Sequence, residues 1–387
     1  MQVAGKRSTF ACAKCVPLMR IVGAFGLVLG ACLSLGCGSS DSGDITGSGG
    51  SGGAGASGGS AGSAGSATGG SAGVDAGGAA GSGGAAGASG SGGTGGGPSH
   101  ALKTVFVIMM ENHSWSTIQA SKSATYINDT LVPAGAHAEQ YFTPPKLHPS
   151  LPNYIWLEAG SNLGILDDND PSINHQATAN HLVTQLETAG ISWKAYTEGI
   201  SGQTCPLVSS GLYGAKHTPQ LYFDDVTDAN DPNSKHCIEH VRPFSELAAD
   251  LKSGNVARYN FITPDLCHDM HGEVLGLSCN PLTTDMIKLG DQWLASVIPT
   301  LTTSQAFNDG GVIFVIWDEG DEKTLQPASD GPIGLIVLSP VAKVGYASTT
   351  KLTHSATLRT IEEIFDVPFL GGAKTSPDLA EMFTAFP

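Results

Sequence analysis

Basic residues are scarce in this chain: 19 Lys and Arg stand against 35 Asp and Glu among 387 residues, and only 14% of residues are charged. Four of the bases, Lys6, Arg7, Lys14 and Arg20, lie in the first 37 residues, which contain no acid. Residues 99–387 carry 15 basic and 32 acidic side chains, a formal charge of −17. Such a deficit of cations argues against nucleic acid as the natural partner, because backbone phosphates are bound by Lys and Arg. An apolar run of membrane-spanning length is also missing. Ile21 to Leu35 is the longest candidate near the start, and it falls short of the roughly 20 residues a spanning helix needs. Behind its cluster of bases it reads as a secretory signal, residues 1–37. Cys32, in Leu29-Gly30-Ala31-Cys32, and Cys37, in Ser34-Leu35-Gly36-Cys37, both have a lipoprotein-processing context. One of them is expected to carry a lipid, which would be the only membrane attachment; a plain secreted protein is the alternative.

Residues 38–98 lack almost everything except Gly, Ser and Ala, with Asp41, Asp44 and Asp75 their only charges. Such a segment cannot bury enough apolar surface to offset its ordering entropy. It is expected to be a disordered tether with a reach of roughly 40–45 Å. Residues 99–387 then form the expected folded domain, and they hold all 12 histidines. No Cys-x-x-Cys spacing occurs within them, which counts against a structural zinc site. Their four cysteines, Cys205, Cys237, Cys267 and Cys279, read as two disulfides in an exported protein. Three pairings are possible, and the simplest joins Cys205 to Cys237 and Cys267 to Cys279.

Internal repeats and long charge runs are absent from this domain as well. What it has is alternation. Short β-rich runs, Thr104–Met110, Ile191–Thr197, Arg258–Thr263, Gly311–Trp317 and Gly334–Ser339, alternate with helix-like Asn180–Ala189, Pro243–Lys252, Thr284–Leu301 and Ser355–Phe365. The pattern predicts an α/β fold, a mostly parallel sheet with helices on both faces. Val312–Ile316 and Leu335–Leu338 are continuously apolar, as central strands buried on both sides should be. Ligands of such sheets gather beyond the carboxyl ends of strands. Polar clusters follow three of the runs there: Glu111-Asn112, Asp265 to His271, and Asp318-Glu319. They point to one shared site.

Ser150, in His148-Pro149-Ser150-Leu151-Pro152, precedes a helix-like segment, so its hydroxyl would sit beside unpaired backbone N–H groups that favour a phosphate. A plain N-cap is the commoner role for such a serine. Oxygens from Asn112, Asp318, Glu319 and Ser150 would suit a divalent metal ion, which can hold a phosphoryl oxygen and activate a hydroxyl. Neighbouring strand residues face opposite ways, so Asp318 and Glu319 share the site only if their strand has already ended; otherwise they form a solvated acidic turn with Gly320-Asp321-Glu322. In Asp269-Met270-His271 the i, i+2 spacing puts the acid and the imidazole on one side of an extended loop. His354 starts an amphipathic helix with Leu358, Ile361, Ile364 and Phe365 on its apolar face. Histidines suit phosphate binding and leaving-group protonation at mildly acidic pH. His175 and His181 read as structural or peripheral, and Trp193, Tyr196 and Trp293 as core aromatics.

Taken together, Met110-Glu111-Asn112-His113, His148 to Tyr154, Asp269-Met270-His271, Trp317-Asp318-Glu319 and His354 resemble the bacterial and fungal phosphoesterase family of acid phosphatases and phospholipases C, most closely its small secreted acid phosphatases. The resemblance runs over most of residues 103–375, including Ile191–Glu198, Pro243–Leu247 and Gly290–Leu294. It implies an alkaline-phosphatase-like α/β/α sandwich that hydrolyses phosphate monoesters through a phosphoseryl intermediate at Ser150. By the same resemblance one divalent metal ion, of identity left open, is held by Asn112, Asp318, Glu319 and Ser150. Asp269, His271 and His354 are expected to be catalytic, and Lys216, His217, His148 and Glu111 to line the phosphate site. Gly214-Ala215-Lys216-His217-Thr218-Pro219 is similar to the family's Lys-His-x-Pro element, whereas His268 stands where the family usually has Asn. The expected partner is a small phosphorylated substrate. Rival readings are a phospholipase C acting on diesters, a phosphatidylinositol 3-phosphate phosphatase, and a tethered surface-binding protein on the same fold. Larger phospholipase members carry further carboxy-terminal domains, and this sequence stops at Pro387, which favours the monoesterase. The retention of Ser150, Asn112 and Asp318 counts against the binding protein.

Overall fold

Among the described residues, ten strands occur in chain order: β1 Thr104–Met110, β2 Ala136–Ala138, β3 Tyr141–Phe142, β4 Trp193–Thr197, β5 Val241–Pro243, β6 Tyr259–Thr263, β7 Gly311–Trp317, β8 Leu335–Leu338, β9 Tyr346–Ser348 and β10 Leu352–Thr353. The computed structural model describes residues 100–145, 147–272, 279, 284–321 and 331–387, so the expected signal and tether lie outside the described residues. Eight strands make one sheet in the order β5-β4-β6-β1-β7-β8-β2-β9, while β3 and β10 pair separately. From β5 to β7 every neighbour is parallel, β8 runs antiparallel to both β7 and β2, and β9 is parallel to β2. The expected mostly parallel α/β sheet is therefore present. The predicted runs hold to within two residues at each end, whereas the three-residue strands β2, β5 and β9 are too short to show a pattern in the sequence.

Burial explains the order. All seven residues of β7 are buried, as are the four of β8 and six of the seven in β1. Side chains of that kind contribute about 1.5–3 kcal/mol each when removed from water, so these strands take the middle and helices cover both faces. The Ser150–Ala159 helix packs against the His354–Phe365 helix. Both disulfides follow the simplest pairing: Cys205 with Cys237 at a Cα separation of 5.5 Å, and Cys267 with Cys279 at 5.3 Å. No helix among the described residues is long and apolar enough to cross a membrane.

A buried ion bridge anchors the far end of the Ser150–Ala159 helix. His181, fully buried and stacked on Phe223, lies 3.1 Å from Glu158 Oε1 through Nδ1 and 3.0 Å from Asp225 Oδ1 through Nε2. Burial opposes its charge, but hydrogen bonds to Asp225 and Glu158 outweigh that and raise its pKa from 6.5 to about 9. The folded value exceeds the unfolded one, so the stabilisation is complete below pH 6.5 and is lost as pH rises through about 9. At 1.36 kcal/mol per unit, the loss is on the order of 3 kcal/mol. Denaturant unfolding from pH 6 to 10 should therefore show stability falling across this window, and His181→Gln should flatten the slope. An equally steep decline in the variant would assign it to other groups.

Candidate active site

Register brings the polar clusters together. Met110 pairs with Trp317 across β1 and β7, so the residues that follow each strand emerge side by side. Asp318 N–H donates to the Met110 carbonyl (2.9 Å), and Glu111 N–H donates to the Asp269 carbonyl in the loop after β6 (2.7 Å). Asn112 then turns the chain outward with φ 53°, a left-handed conformation that Asn tolerates better than most residues. The turn aims its N–H at Asp318 Oδ1 (3.0 Å), which also accepts from Glu319 N–H (2.6 Å). β7 ends at Trp317, so both acids are free of strand alternation and both are buried. The solvated-turn alternative does not describe them.

Glu111 is the hub of the cluster. Its fully buried carboxylate accepts from Ser150 Oγ (2.9 Å), Tyr154 Oη (2.7 Å) and Asn112 Nδ2 (3.3 Å). Ser150 is the first residue of its helix, with Pro149 at the N-cap, so its hydroxyl serves Glu111 and not a helix amide. The amide of Leu151 is taken by Asp168 Oδ1 (2.9 Å), whose other oxygen holds Lys216 Nζ (2.8 Å). Lys216 Nζ in turn lies 3.4 Å from both Ser150 Oγ and His271 Nε2. Burial opposes the charge of Lys216, but Glu111 and Asp168 hold its pKa above the ordinary lysine value.

His217 is stacked on Tyr154 and sits between two carboxyls, 3.1 Å from Glu111 Oε1 and 3.2 Å from Asp269 Oδ2. Neither His217 Nε2 nor Asp269 Oδ2 makes a hydrogen bond, so these are contacts of distance only. Burial, then Lys216 and His271, keep the His217 imidazole neutral, with its pKa well below 6.5. Glu319 faces His148 Nδ1 (2.9 Å) and Asn153 Nδ2 (3.1 Å), one turn along the serine helix. His271 borders two cavities: one of about 340 Å³ with Asn112 and Met286, and one of about 460 Å³ with Lys216, Tyr213 and Leu266.

His354 is engaged on both ring nitrogens. Nε2 donates to the Asp318 carbonyl (2.8 Å), which fixes the proton there, so Nδ1 accepts from Tyr141 Oη (3.0 Å). Burial pushes its pKa down to about 4. In this arrangement it clamps the Asp318 loop and presents no nitrogen to a substrate. Three further residues that the sequence reading passed over complete the cluster: Asp168, Tyr154 and Asn153. Tyr154 was detectable, being four residues from Ser150 and hence on the same helix face. Asp168 was not, because Asp167-Asp168-Asn169-Asp170 looks like any solvated loop.

The donor set fits a hard cation. Asn112 Oδ1 and Asp318 Oδ2 are buried without a hydrogen-bond partner, and both belong to the turn where β1 and β7 end. Burial, then Glu111 and Glu319, push the Asp318 carboxyl well above the usual range, and burial followed by Glu111 does the same to Asp269. Burial raises Glu319 to about 7 despite His148. Four buried carboxyls beside one ammonium leave a deficit of positive charge that a divalent ion would relieve. The three-residue groups of His, Asp and Glu close enough to share an ion, among the described residues, lie elsewhere: Glu187 with His236 and His240, and Glu198 with Asp265 and His268.

A family model described as Phosphoesterase family matches residues 119–368, a span that includes Ser150, Lys216, Asp269, Asp318 and His354. The chain is 27% identical over 279 residues to a phosphatidylinositol-3-phosphatase of Mycobacterium tuberculosis, covering 72% of this chain and 82% of that protein. It is 25% identical to an acid phosphatase of Kluyveromyces lactis over 70% of this chain, and 25% identical to a phosphate-repressible acid phosphatase of Penicillium chrysogenum over 61%. It spans 60% and 53% of the lengths of those two proteins. Among solved structures, an alkaline phosphatase superfamily protein from Vibrio parahaemolyticus superposes with TM-score 0.46 at 10% identity, covering 73% of this chain and 72% of that one. Murine ectonucleotide pyrophosphatase/phosphodiesterase 5 with AMP superposes with TM-score 0.48 at 11% identity, covering 73% of this chain and all of that one.

The engagement of both His354 nitrogens generates a test. Replacing His354 with Phe should lower turnover of p-nitrophenyl phosphate about 10–100-fold, the usual cost of losing a group that orients a site from behind. Inhibition by inorganic phosphate should stay within about threefold of the parent. A phosphate inhibition constant that weakens in step with turnover would show that His354 contacts the phosphoryl group directly.

Proposed function

We propose that this chain, which belongs to the phosphoesterase family, hydrolyses phosphate monoesters with Ser150 as the nucleophile and Glu111 as its base. The acid phosphatase relatives support its assignment to the phosphoric monoester hydrolases. The observation that carries the mechanism is the 2.9 Å hydrogen bond from Ser150 Oγ to a carboxylate buried away from water. Glu111 takes the hydroxyl proton as Oγ bonds to phosphorus and the ester oxygen departs. Lys216, 3.4 Å from Oγ, neutralises charge on the phosphoryl oxygens, which is most of what this reaction asks of a protein. His271, facing the cavity of about 460 Å³, gives the leaving oxygen its proton. Water, giving a proton to His271, then attacks the phosphoserine; inorganic phosphate leaves, and Glu111 returns its proton to Ser150.

Asn112 and Asp318, with the Ser150 oxygen, would hold a divalent ion, which when bound would supply charge neutralisation at the phosphoryl group. Glu319 is assigned to positioning, because its carboxylate holds His148 and Asn153, and His354 to clamping Asp318. His217 and Asp269 back Glu111 from the side away from Ser150, and neither needs to touch substrate. A lipid phosphate is the second reading. It is favoured by the mycobacterial phosphatidylinositol-3-phosphatase, of which the match covers 82%. The formal charge of −17 over residues 99–387 would oppose approach to an anionic membrane, so a lipid headgroup would have to be gripped locally. An exported location accords with the two disulfides, and lipid anchoring through Cys32 or Cys37 belongs to the same proposal.

Ser150→Ala should reduce turnover of p-nitrophenyl phosphate by at least about 10⁴-fold. It should cost only about 1–3 kcal/mol of stability, since Glu111 keeps Tyr154 and Asn112 as donors. A chelator should silence the parent, and added divalent cation should restore it. Retained turnover in the folded variant would exclude Ser150 as nucleophile, and preferential hydrolysis of p-nitrophenylphosphorylcholine would replace the monoesterase with a diesterase.

A further inference from the structure

The helix Lys235–His240 lies at the other end of β4 from the catalytic cluster and carries His236 and His240. An i, i+4 pair shares one helix face. His236 Nε2 lies 2.6 Å from Glu187 Oε1, and His240 Nε2 lies 3.8 Å from the same oxygen, beyond hydrogen-bond reach. Both Nδ1 atoms face backbone carbonyls, His236 that of Asp225 (3.0 Å) and His240 that of His236 (3.1 Å). A carbonyl only accepts, so Nδ1 carries the proton in each ring, and the two Nε2 atoms point at one carboxylate. Imidazoles that bind metals are commonly held in this way, with the other ring nitrogen donating to a carbonyl.

The support is firm on every side. Cys237, between the two histidines, is bonded to Cys205, and Ser234 Oγ caps the helix at Cys237 N–H. Trp193 stacks on His240 with ring centroids 4.5 Å apart and donates from Nε1 to Glu187 Oε1 (2.7 Å), fixing the carboxylate as well. We propose that Glu187, His236 and His240 form a zinc-type metal site, separate from the catalytic cluster, that clips the Leu182–Thr188 helix to the Lys235–His240 helix. Tetrahedral coordination with metal–ligand bonds of about 2.0–2.1 Å needs donors roughly 3.3 Å apart. The observed 2.6 and 3.8 Å bracket that value, and a shift of less than 1 Å by the half-exposed Glu187 carboxylate would even them out. Two imidazoles and one carboxylate leave a fourth position for water. The clip would secure the β4–β5 edge of the sheet, and nothing in it depends on the Ser150 chemistry.

The test uses the full chain, stripped with chelator and dialysed against micromolar Zn²⁺, with bound zinc measured by elemental analysis. The double variant H236Q/H240Q should bind one equivalent less than the parent and keep its turnover of p-nitrophenyl phosphate. Asp318→Asn should retain the equivalent that the double variant lost. Co²⁺ should give a set of visible d–d bands common to the parent and Asp318→Asn, and that set should be missing from H236Q/H240Q. Glu187→Gln still offers Trp193 an acceptor, so it should fold normally and bind Zn²⁺ at this site at least tenfold more weakly. Equal zinc content and equal Co²⁺ spectra in the parent, the double variant and Glu187→Gln would overturn the site.

Discussion

Burying one carboxylate, Glu111, is the constraint around which the catalytic end of this molecule is arranged. Taking a carboxylate out of water costs several kcal/mol even after relaxation, and each charge-assisted hydrogen bond returns about 1.5–3 kcal/mol. Glu111 therefore needs several donors, and it finds them in Ser150, Tyr154 and Asn112. Two of the three sit on one helix, four residues apart, so the placement of the Ser150–Ala159 helix follows from satisfying Glu111. The Ser150 hydroxyl is aligned as a by-product of that solvation. The other end of that helix repeats the logic, with Glu158 held by His181 and by Val183 N–H. A helix anchored by a buried acid at each end resists both sliding and rotation, and that rigidity keeps the Ser150 hydroxyl against the Glu111 carboxylate.

Much of this was legible in the sequence, for reasons that can be given residue by residue. Val312–Ile316 and Leu335–Leu338 declare themselves as central strands because burial on both sides demands unbroken apolar residues, and Val105–Met109 is a strand of the same apolar kind. Parallel pairing then forces the residues after the carboxyl ends of such strands to meet, and so the sequence alone puts Glu111, Asp269 and Asp318 together. The short strands β2, β5 and β9 were not legible. At three residues each they are selected by available backbone partners, and side-chain pattern carries little of that information. The antiparallel direction of β8 was equally hidden, since Leu335–Leu338 would be apolar in either direction.

Roles proved harder to read than positions. The family resemblance implied that His354 meets substrate, and here its two nitrogens go to Tyr141 and the Asp318 carbonyl. Sequence order gives no hint of Tyr141, 213 positions away. Glu319 adjoins Asp318 and was grouped with it as a ligand, but a residue one step further along a finished strand is free to point elsewhere, and it turns to His148 and Asn153. In both cases adjacency fixed the neighbourhood, while the particular hydrogen-bond partner came from a distant segment.

The charge distribution restricts how an anionic substrate can be recognised. Exposed charges more than about 8 Å away are largely screened at physiological salt, so the acidic exterior acts mainly on approach and contributes little once the substrate is bound. Inside, screening is weak, and the same carboxyls that orient Ser150 would repel a phosphate dianion at short range. Among the described residues, Lys216 is the one basic side chain within hydrogen-bond distance of Ser150 Oγ, and Asp168 already claims it. One ammonium shared with an aspartate cannot offset four buried carboxyls and a dianion together. Either protons or a bound cation must supply the remainder, and the two buried oxygens of Asn112 and Asp318 left without partners are where a cation would satisfy hydrogen-bonding and charge deficits at once. On this account a phosphate and a cation would settle at the strand ends together, each offsetting the charge of the other.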